Sequence, residues 1–496
     1  MRVVMAVQEV LPGRLAAALV FVSSGAVLVL EIVGLRLVAP YVGVTLQTSS
    51  AIIGVALAAI AYGAWFGGFL ADRLNARRLL VPALLLAAGA TALTLPMVRW
   101  AGEWLRGAAA AGVLLLAMLA LFVPAALLAA VTPLVVKLQL SDLSRTGTVV
   151  GRLSGIGTVG GITATLATGF VFVAALPSSV IVLSLAGLLA AAGIGMAIYL
   201  RSGRAIHGRL GSYAALLGLA GAGLTAIAPA ACDVETAYHC ARIAVDPARE
   251  GGRTLWLNAA EHSYVDTDDP TYLKFEYIQT IGSLLDVVAP AGAPVDTLHL
   301  GAGGLTMPGY LAATRAGSRS RVMEIDGRLL ALDRARLPVP AGLETWTGDA
   351  RLGVTAEPAR GWSVVVGDAF GDLAVPWHLT TREFVGQVRR VLRPDGVYAL
   401  NVIDGPRGRF ARAETATLMA VFGHVAVVAP PDALAGRGTS VNYVLLASAT
   451  PLPLDALRGR LAERGTRVSV VAARDFAAGA EPLTDDYAPV DQLLGR

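Results

Sequence analysis

Val295-Asp296-Thr297-Leu298-His299-Leu300-Gly301-Ala302-Gly303-Gly304 runs from a short apolar segment directly into a cluster of glycines. Missing side chains let the backbone approach a ligand and let the next helix turn its amino end toward it. Toward the C-terminus, strand-length segments recur at Arg321–Ile325, Leu343–Trp346, Ser363–Val366, Val397–Val402, Val425–Val428 and Val441–Leu446. Helical stretches separate the earlier ones. Thr381–Leu392, for example, sets Phe384, Val388, Val391 and Leu392 on one side. Such alternation predicts a mostly parallel sheet with helices on both faces and a ligand crevice at the carboxyl ends of the strands.

Those predicted strand ends carry acids. Glu324 and Asp326 follow the second strand, about 20 residues beyond the glycines, where an acid accepts hydrogen bonds from ribose hydroxyls. Asp349, in Thr347-Gly348-Asp349-Ala350, follows the third and suits the exocyclic amine of adenine. Asp368, in Val366-Gly367-Asp368-Ala369, follows the fourth. For any one of these acids, a helix N-cap is the alternative role. Toward the N-terminus, 241–266 reads as a small β unit, with Ala241–Val245 and Thr254–Leu257 around the turn Arg249-Glu250-Gly251-Gly252, followed by a helix over Thr271–Ala289.

The whole chain has 496 residues, 55% hydrophobic and only 15% charged, against roughly 25% charge in ordinary soluble domains. That excludes a disordered chain and argues against a wholly soluble one. The net charge of +4 fits membrane-topology charge, with no nucleic-acid footprint. Two cysteines, Cys232 and Cys240, exclude a disulfide scaffold and a multi-cysteine zinc protein, and no metal site is expected.

The apolar excess lies before Asp233. Seven segments have spanning length: Leu15–Ala39, Ser50–Leu70, Leu79–Val98, Ala108–Val136, Leu153–Leu176, Ser178–Leu200 and Tyr213–Ala231. The N-terminus and alternate loops carry Arg2, Arg14, Arg73, Arg77, Arg78, Lys137, Arg145, Arg152, Arg201, Arg204 and Arg209. The opposite loops carry only Arg99 and Arg106. The bias puts the N-terminus in the cytoplasm of a multi-pass inner-membrane protein, and an odd number of spans puts the C-terminal half outside. Cys232 and Cys240 would then lie in an oxidising compartment, able to close a small loop; two unpaired cytosolic thiols are the alternative. Glu31 and Arg36 fall inside the first span, where charges are costly and tend to be paired or functional. Gly155, Gly157, Gly160 and Gly161 predict close helix packing. The loop Gly68-Phe69-Leu70-Ala71-Asp72-Arg73-Leu74-Asn75-Ala76-Arg77-Arg78 resembles the charged loop of major facilitator transporters, in which Asp72 and Arg73 would join a cytoplasmic charge set.

The C-terminal half resembles the spermidine synthase family of polyamine aminopropyltransferases, which have the class I methyltransferase fold. The pieces that carry the resemblance are Ser263-Tyr264, Phe275-Glu276-Tyr277, Gly301-Ala302-Gly303, Glu324-Ile325-Asp326, Gly348-Asp349-Ala350, Val365-Val366-Gly367-Asp368 and Leu392-Arg393-Pro394-Asp395-Gly396. The whole chain resembles bacterial fusions of a facilitator-like membrane domain to such a domain. The expected architecture is an all-α membrane bundle (1–231), a linker, β unit and first helix (232–290), a nucleotide-binding α/β domain (291–450) and a tail (451–496).

The resemblance implies transfer of an aminopropyl group from decarboxylated S-adenosylmethionine to an amine, releasing methylthioadenosine. Asp368 would orient and deprotonate the amine. Gly301, Gly303, Glu324, Asp326, Asp349 and Ala350 would hold the donor, and Tyr264, Tyr277, Asp372 and His378 the acceptor. The expected partners are a lipid bilayer, a small amine and an adenosine-type nucleoside, with no nucleic acid; homo-oligomer formation stays open. Departures from the family pattern occur at Gly304, where the synthases carry an aspartate, at Ile278, where they carry a histidine, and at Gly371, where a second acid is displaced to Asp372. They leave two alternatives: a transferase using ordinary S-adenosylmethionine, or a non-catalytic polyamine or nucleoside binder coupled to a half-transporter.

Overall fold

Short buried strands and long apolar helices segregate along the chain. A computed structural model describes residues 11–140, 143–200, 216, 218–221, 223–301, 303–371 and 374–494. The chain divides into two units, Met1–Cys240 and Ala241–Arg496.

Among the described residues, the first unit has six helices long and apolar enough to cross a membrane: α1 (Gly13–Val42), α2 (Leu46–Arg73), α3 (Ala76–Trp104), α4 (Ala110–Gln139), α5 (Thr146–Ala175) and α6 (Ser178–Leu200). The seventh expected span, Tyr213–Ala231, falls partly outside the described residues, as do Arg2, Arg201, Arg204 and Arg209. Glycines set the helix spacing. A Cβ on Gly160 would lie 2.4 Å from the Phe21 carbonyl oxygen, so α5 rests backbone to backbone on α1. Gly157 meets Ser24 in the same seam, whereas Gly155 faces open space. Gly63 and Gly67 of α2 meet Ala126 and Ala130 of α4 in the same way.

Arg36 of α1 is not left bare. It donates to the carbonyls of Thr236 (2.6 Å) and Ala237 (2.9 Å) and to Ser178 Oγ (3.2 Å). Glu31 is half-buried on the same helix. Asp72 pairs with Lys137 at 2.8 Å, while Arg73 lies over the Phe69 ring, 3.8 Å from its centroid. Cys232 and Cys240 are joined by a disulfide, with Cα atoms 5.4 Å apart.

The second unit opens with an antiparallel sheet of β1 (Cys240–Val245), β2 (Gly252–Leu257) and β3 (Ala260–Asp266), followed by α7 (Glu276–Val287). The main sheet then alternates with helices: β4 (Thr297–Leu300), α8 (Thr306–Thr314), β5 (Ser320–Glu324), α9 (Gly327–Arg336), β6 (Glu344–Thr347), α10 (Ala350–Ala356) and β7 (Trp362–Gly367). It continues with α11 (Arg382–Val391), β8 (Leu392–Asp404), α12 (Arg409–Met419), β9 (His424–Ala429), β10 (Val441–Ser448), α13 (Leu454–Arg464) and β11 (Ser469–Ala472).

The strand order is β11-β9-β10-β8-β7-β4-β5-β6. Strands β4 to β8 pair in parallel, and β10 runs antiparallel between β8 and β9. This is the class I methyltransferase arrangement with one added edge strand. Alternation explains why it holds. Leu298, Val365, Tyr398 and Leu400 face Phe384, Val388 and Val391 of α11. Their neighbours Val364, Val366, Val397 and Ala399 face Ile281, Leu284 and Leu285 of α7. A sheet covered on both faces needs apolar residues at successive positions, which is the pattern these strands carry.

Candidate active site

The carboxyl ends of β4 and β7 touch. Asp368 donates its backbone N–H to the Leu300 carbonyl at 2.9 Å. A Cβ on Gly301 would stand 2.3 Å from the Asp368 carbonyl oxygen, and Gly301 has φ +101°. Only glycine fits there, and its absence of side chain brings the loop against Asp368.

The Asp368 carboxylate is held from two sides. Asn401 of β8 donates to Oδ1 at 2.8 Å. The Tyr277 hydroxyl, from the first turn of α7, lies 3.4 Å from Oδ2 and equally far from the His262 carbonyl. Asn401 in turn accepts from Asn442 of β10 at 3.0 Å. Burial pushes the Asp368 carboxyl up to about 6, against the pull of Asn401 and Tyr277. Burial and the neighbouring Asp368 keep Tyr277 protonated, well above the ordinary phenol range. Tyr277 and Asn442 also line a cleft of about 360 Å³ together with Lys274, Glu276 and Ser440.

The other acids line up along the neighbouring strand ends. Glu324, buried at the end of β5, accepts the Asp326 N–H at 2.8 Å. Asp326 caps α9, with Oδ1 accepting from the N–H groups of Arg328 and Leu329. Asp349 caps α10 through Oδ1, which accepts the Arg351 N–H at 2.8 Å, and Ala350 is the buried first residue of that helix. The second oxygen of Asp349 lies 3.1 Å from His378 Nε2. His378, expected at the acceptor end, therefore stands with the acid expected at adenine.

Tyr264 and Tyr277 part company. The Tyr264 ring is buried in β3, and its hydroxyl donates to Asp246 at 2.8 Å. Burial and that bond push the phenol up to about 12. It is the preceding residue, Ser263, that faces the glycine loop. Its Oγ lies 2.8 Å from Thr306 Oγ1, and a Cβ on Gly304 would meet it at 3.0 Å. At Gly304, a departure from the expected pattern, the backbone has φ +65° and stands against Ser263 and Val265. Gly303, beside it, also has positive φ. Asp372 and Ala302 lie outside the described residues.

Sequence reasoning missed three residues. Asn401 and Asn442 carried one faint signal, a lone amide inside an otherwise apolar strand. Asp333, fully buried on α9, has both carboxylate oxygens unpaired. Burial, with Glu324 and Asp326 nearby, pushes it up to about 7.

No family model matches the chain. It is 26% identical to the polyamine aminopropyltransferase of Vibrio vulnificus over 217 residues, 40% of this chain and 70% of that protein. It is 30% identical to a probable polyamine aminopropyl transferase of Bifidobacterium longum over 104 residues, which are 21% of this chain and 23% of that one. The C-terminal half is aminopropyltransferase-like. Among solved structures, a probable spermidine synthase from Corynebacterium glutamicum is 29% identical with a TM-score of 0.47, over 50% of this chain and 94% of that chain. Spermidine synthase from Thermotoga maritima is 17% identical with a TM-score of 0.34, over 51% and 84%. The aminopropyltransferase-like half of the chain thus holds every acid of the candidate site, and six long apolar helices precede it.

Proposed function

We propose that this chain is a membrane-anchored aminopropyltransferase, acting on decarboxylated S-adenosylmethionine and a small amine. The observation that carries this reading is the Asp368 carboxylate, gripped by Asn401 and Tyr277 beside Gly301, where a Cβ would strike the Asp368 carbonyl. The amine nitrogen attacks the carbon next to the sulfonium. The carbon–sulfur bond breaks, its electron pair stays on sulfur, and methylthioadenosine leaves. The ammonium formed on the acceptor gives its proton to Asp368. A carboxylate at about 6 is ionised at neutral pH yet basic enough to share that proton. Alignment of nitrogen, carbon and sulfur supplies most of the remaining barrier reduction.

In this reading Glu324 holds the ribose hydroxyls. Asp349, steadied by His378, accepts from the adenine amine, and Asp326 acts through the turn that shapes Glu324. Tyr277 lines the acceptor path with Lys274, Glu276 and Asn442. The helical half anchors the enzyme, and its facilitator-like loop is a cytoplasmic charge cluster. With Tyr213–Ala231 as a seventh span, the loop arginines put the C-terminal half outside the cytoplasm, and the Cys232–Cys240 disulfide favours the same side.

A second reading, the use of ordinary S-adenosylmethionine, draws on the Ser263–Thr306 pair at Gly304. Purified full-length protein, given each donor with a panel of diamines and polyamines, tests both readings. Methylthioadenosine from the decarboxylated donor alone supports the first. Turnover of the ordinary donor alone supports the second, and no product from either donor rejects both.

A further inference from the structure

The edge of the main sheet opposite Asp368 carries a second, very different cleft. It has a volume of about 560 Å³ and lies at the amino ends of β7 and β8, about 20 Å along the strands from Asp368. Four guanidinium groups line it: Arg360, Arg389, Arg390 and Arg393.

Their charge is poorly compensated. Arg393 pairs with Asp296 at 2.6 Å and bonds Ser363. Among the described residues, Arg390 is fixed by neutral acceptors only: Gln387, the Glu357 carbonyl, and the Val354 and Thr355 carbonyls at the end of α10. Among the described residues, the Arg389 guanidinium makes a single bond, to the Val421 carbonyl. Arg360 is exposed, and its guanidinium has no hydrogen bond or ion pair among the described residues. Of the acids in these segments, Asp395 is exposed in β8 two residues after Arg393, and the Glu357 carboxylate is taken by Arg321 and the Trp362 indole.

Arg360 also has φ +59°, a conformation that favours glycine or asparagine. Its backbone is held there by the bond from its N–H to the Arg390 carbonyl. The turn therefore ties the Arg360 backbone to that of Arg390, and both residues line the cleft. Guanidinium forks match the oxygens of phosphate in pairs, and several of them converging on a cleft suit more than one negative charge.

We propose that this cleft binds phosphate oxyanions, away from the transfer site. The phosphate can come from a soluble pyrophosphate-type ligand or from an anionic lipid headgroup.

The test uses the full chain in phosphatidylcholine nanodiscs, titrated with inorganic pyrophosphate by calorimetry. A second arm uses nanodiscs of equal parts phosphatidylcholine and phosphatidylglycerol and follows hydrogen exchange over residues 386–396. The variant is Arg360→Gly with Arg389→Ala. The first substitution relieves the positive φ and the second removes one exposed bond, so the thermal midpoint should hold. Arg458→Ala, an exposed arginine of α13, is the charge control.

Pyrophosphate binding that weakens about tenfold or more in the double variant, falls with added salt and survives in the control supports the site with a soluble ligand. No pyrophosphate binding, but phosphatidylglycerol-dependent protection of 386–396 that the double variant loses, supports it with a lipid headgroup. Absence of both effects, or equal effects in wild type and double variant, overturns the proposal.

Discussion

Asp368 illustrates how a carboxylate becomes useful through its neighbours. Burial raises its proton affinity, and two donors moderate the rise, leaving it near 6. The base form is the active one, so kcat/KM for the amine should fall as pH drops below about 6 and lose this dependence above it. Asn401 is a positioning residue. Asn401→Leu removes the 2.8 Å bond to the ionised form, so the acid limb of the pH–rate profile should move up by about one pH unit. A profile that keeps its midpoint would assign Asn401 to packing alone. Asp333 offers a test of stability. Its proton is bound more tightly in the folded chain (about 7) than in an unfolded one, so ionisation costs stability progressively as pH rises from about 4 to about 7. Asp333→Asn should therefore stabilise the fold at pH 8, by an upper bound of about 4 kcal/mol and visible as a higher thermal midpoint, and change little at pH 4. Equal effects at both pH values would show that its carboxyl is not the strained group.

At the scale of elements, the order of strands and the acids at their ends were legible because both leave periodic traces. Glu324 and Asp368 each close a short apolar run, Asp349 follows the mixed strand Glu344–Thr347, and all three lie at carboxyl strand ends in the fold. The faces of β3 were not legible. The β2–β3 pairing carries a bulge: Leu255 opposes Ser263 while Trp256 opposes Glu261, so His262 is the extra residue of the bulge. One extra residue reverses which side chains reach the crevice, so Ser263 faces Gly304 and Tyr264 turns to Asp246. Asn401 and Asn442 escaped notice for a related reason. They meet Asp368 only through pairing of β7, β8 and β10, which brings together positions far apart in the chain. The close contact of β4 with β7 has its own test. Gly301→Ala puts a Cβ into the Asp368 carbonyl at positive φ, costing at least about 1–2 kcal/mol from the backbone alone. The variant should lose binding of methylthioadenosine along with several degrees of thermal midpoint. Unchanged binding would separate the loop from the nucleoside.

At the scale of the whole molecule, composition alone divided the chain near Asp233, and the two units divide at Cys240. Hydropathy served well for six spans, since each is a single long apolar helix. Asp72 pairs with Lys137 of α4, and Arg73 of the same loop lies over the Phe69 ring. Sequence motifs show which charges share a loop, but partners contributed by other helices emerge only from packing. The proposed orientation predicts that protease added to intact spheroplasts will degrade the C-terminal half. A fragment protected until the membrane is permeabilised would reverse the topology.

The most direct measurement follows methylthioadenosine and aminopropylated amine together, with wild type and Asp368→Asn, at pH 8 on the purified full-length chain. Wild type should form the two products in equal amounts. The variant should bind methylthioadenosine normally yet turn over about 10²- to 10⁴-fold more slowly. Absence of product with every amine tried, or a variant as fast as wild type, would contradict the assignment of Asp368 as the base of an aminopropyl transfer.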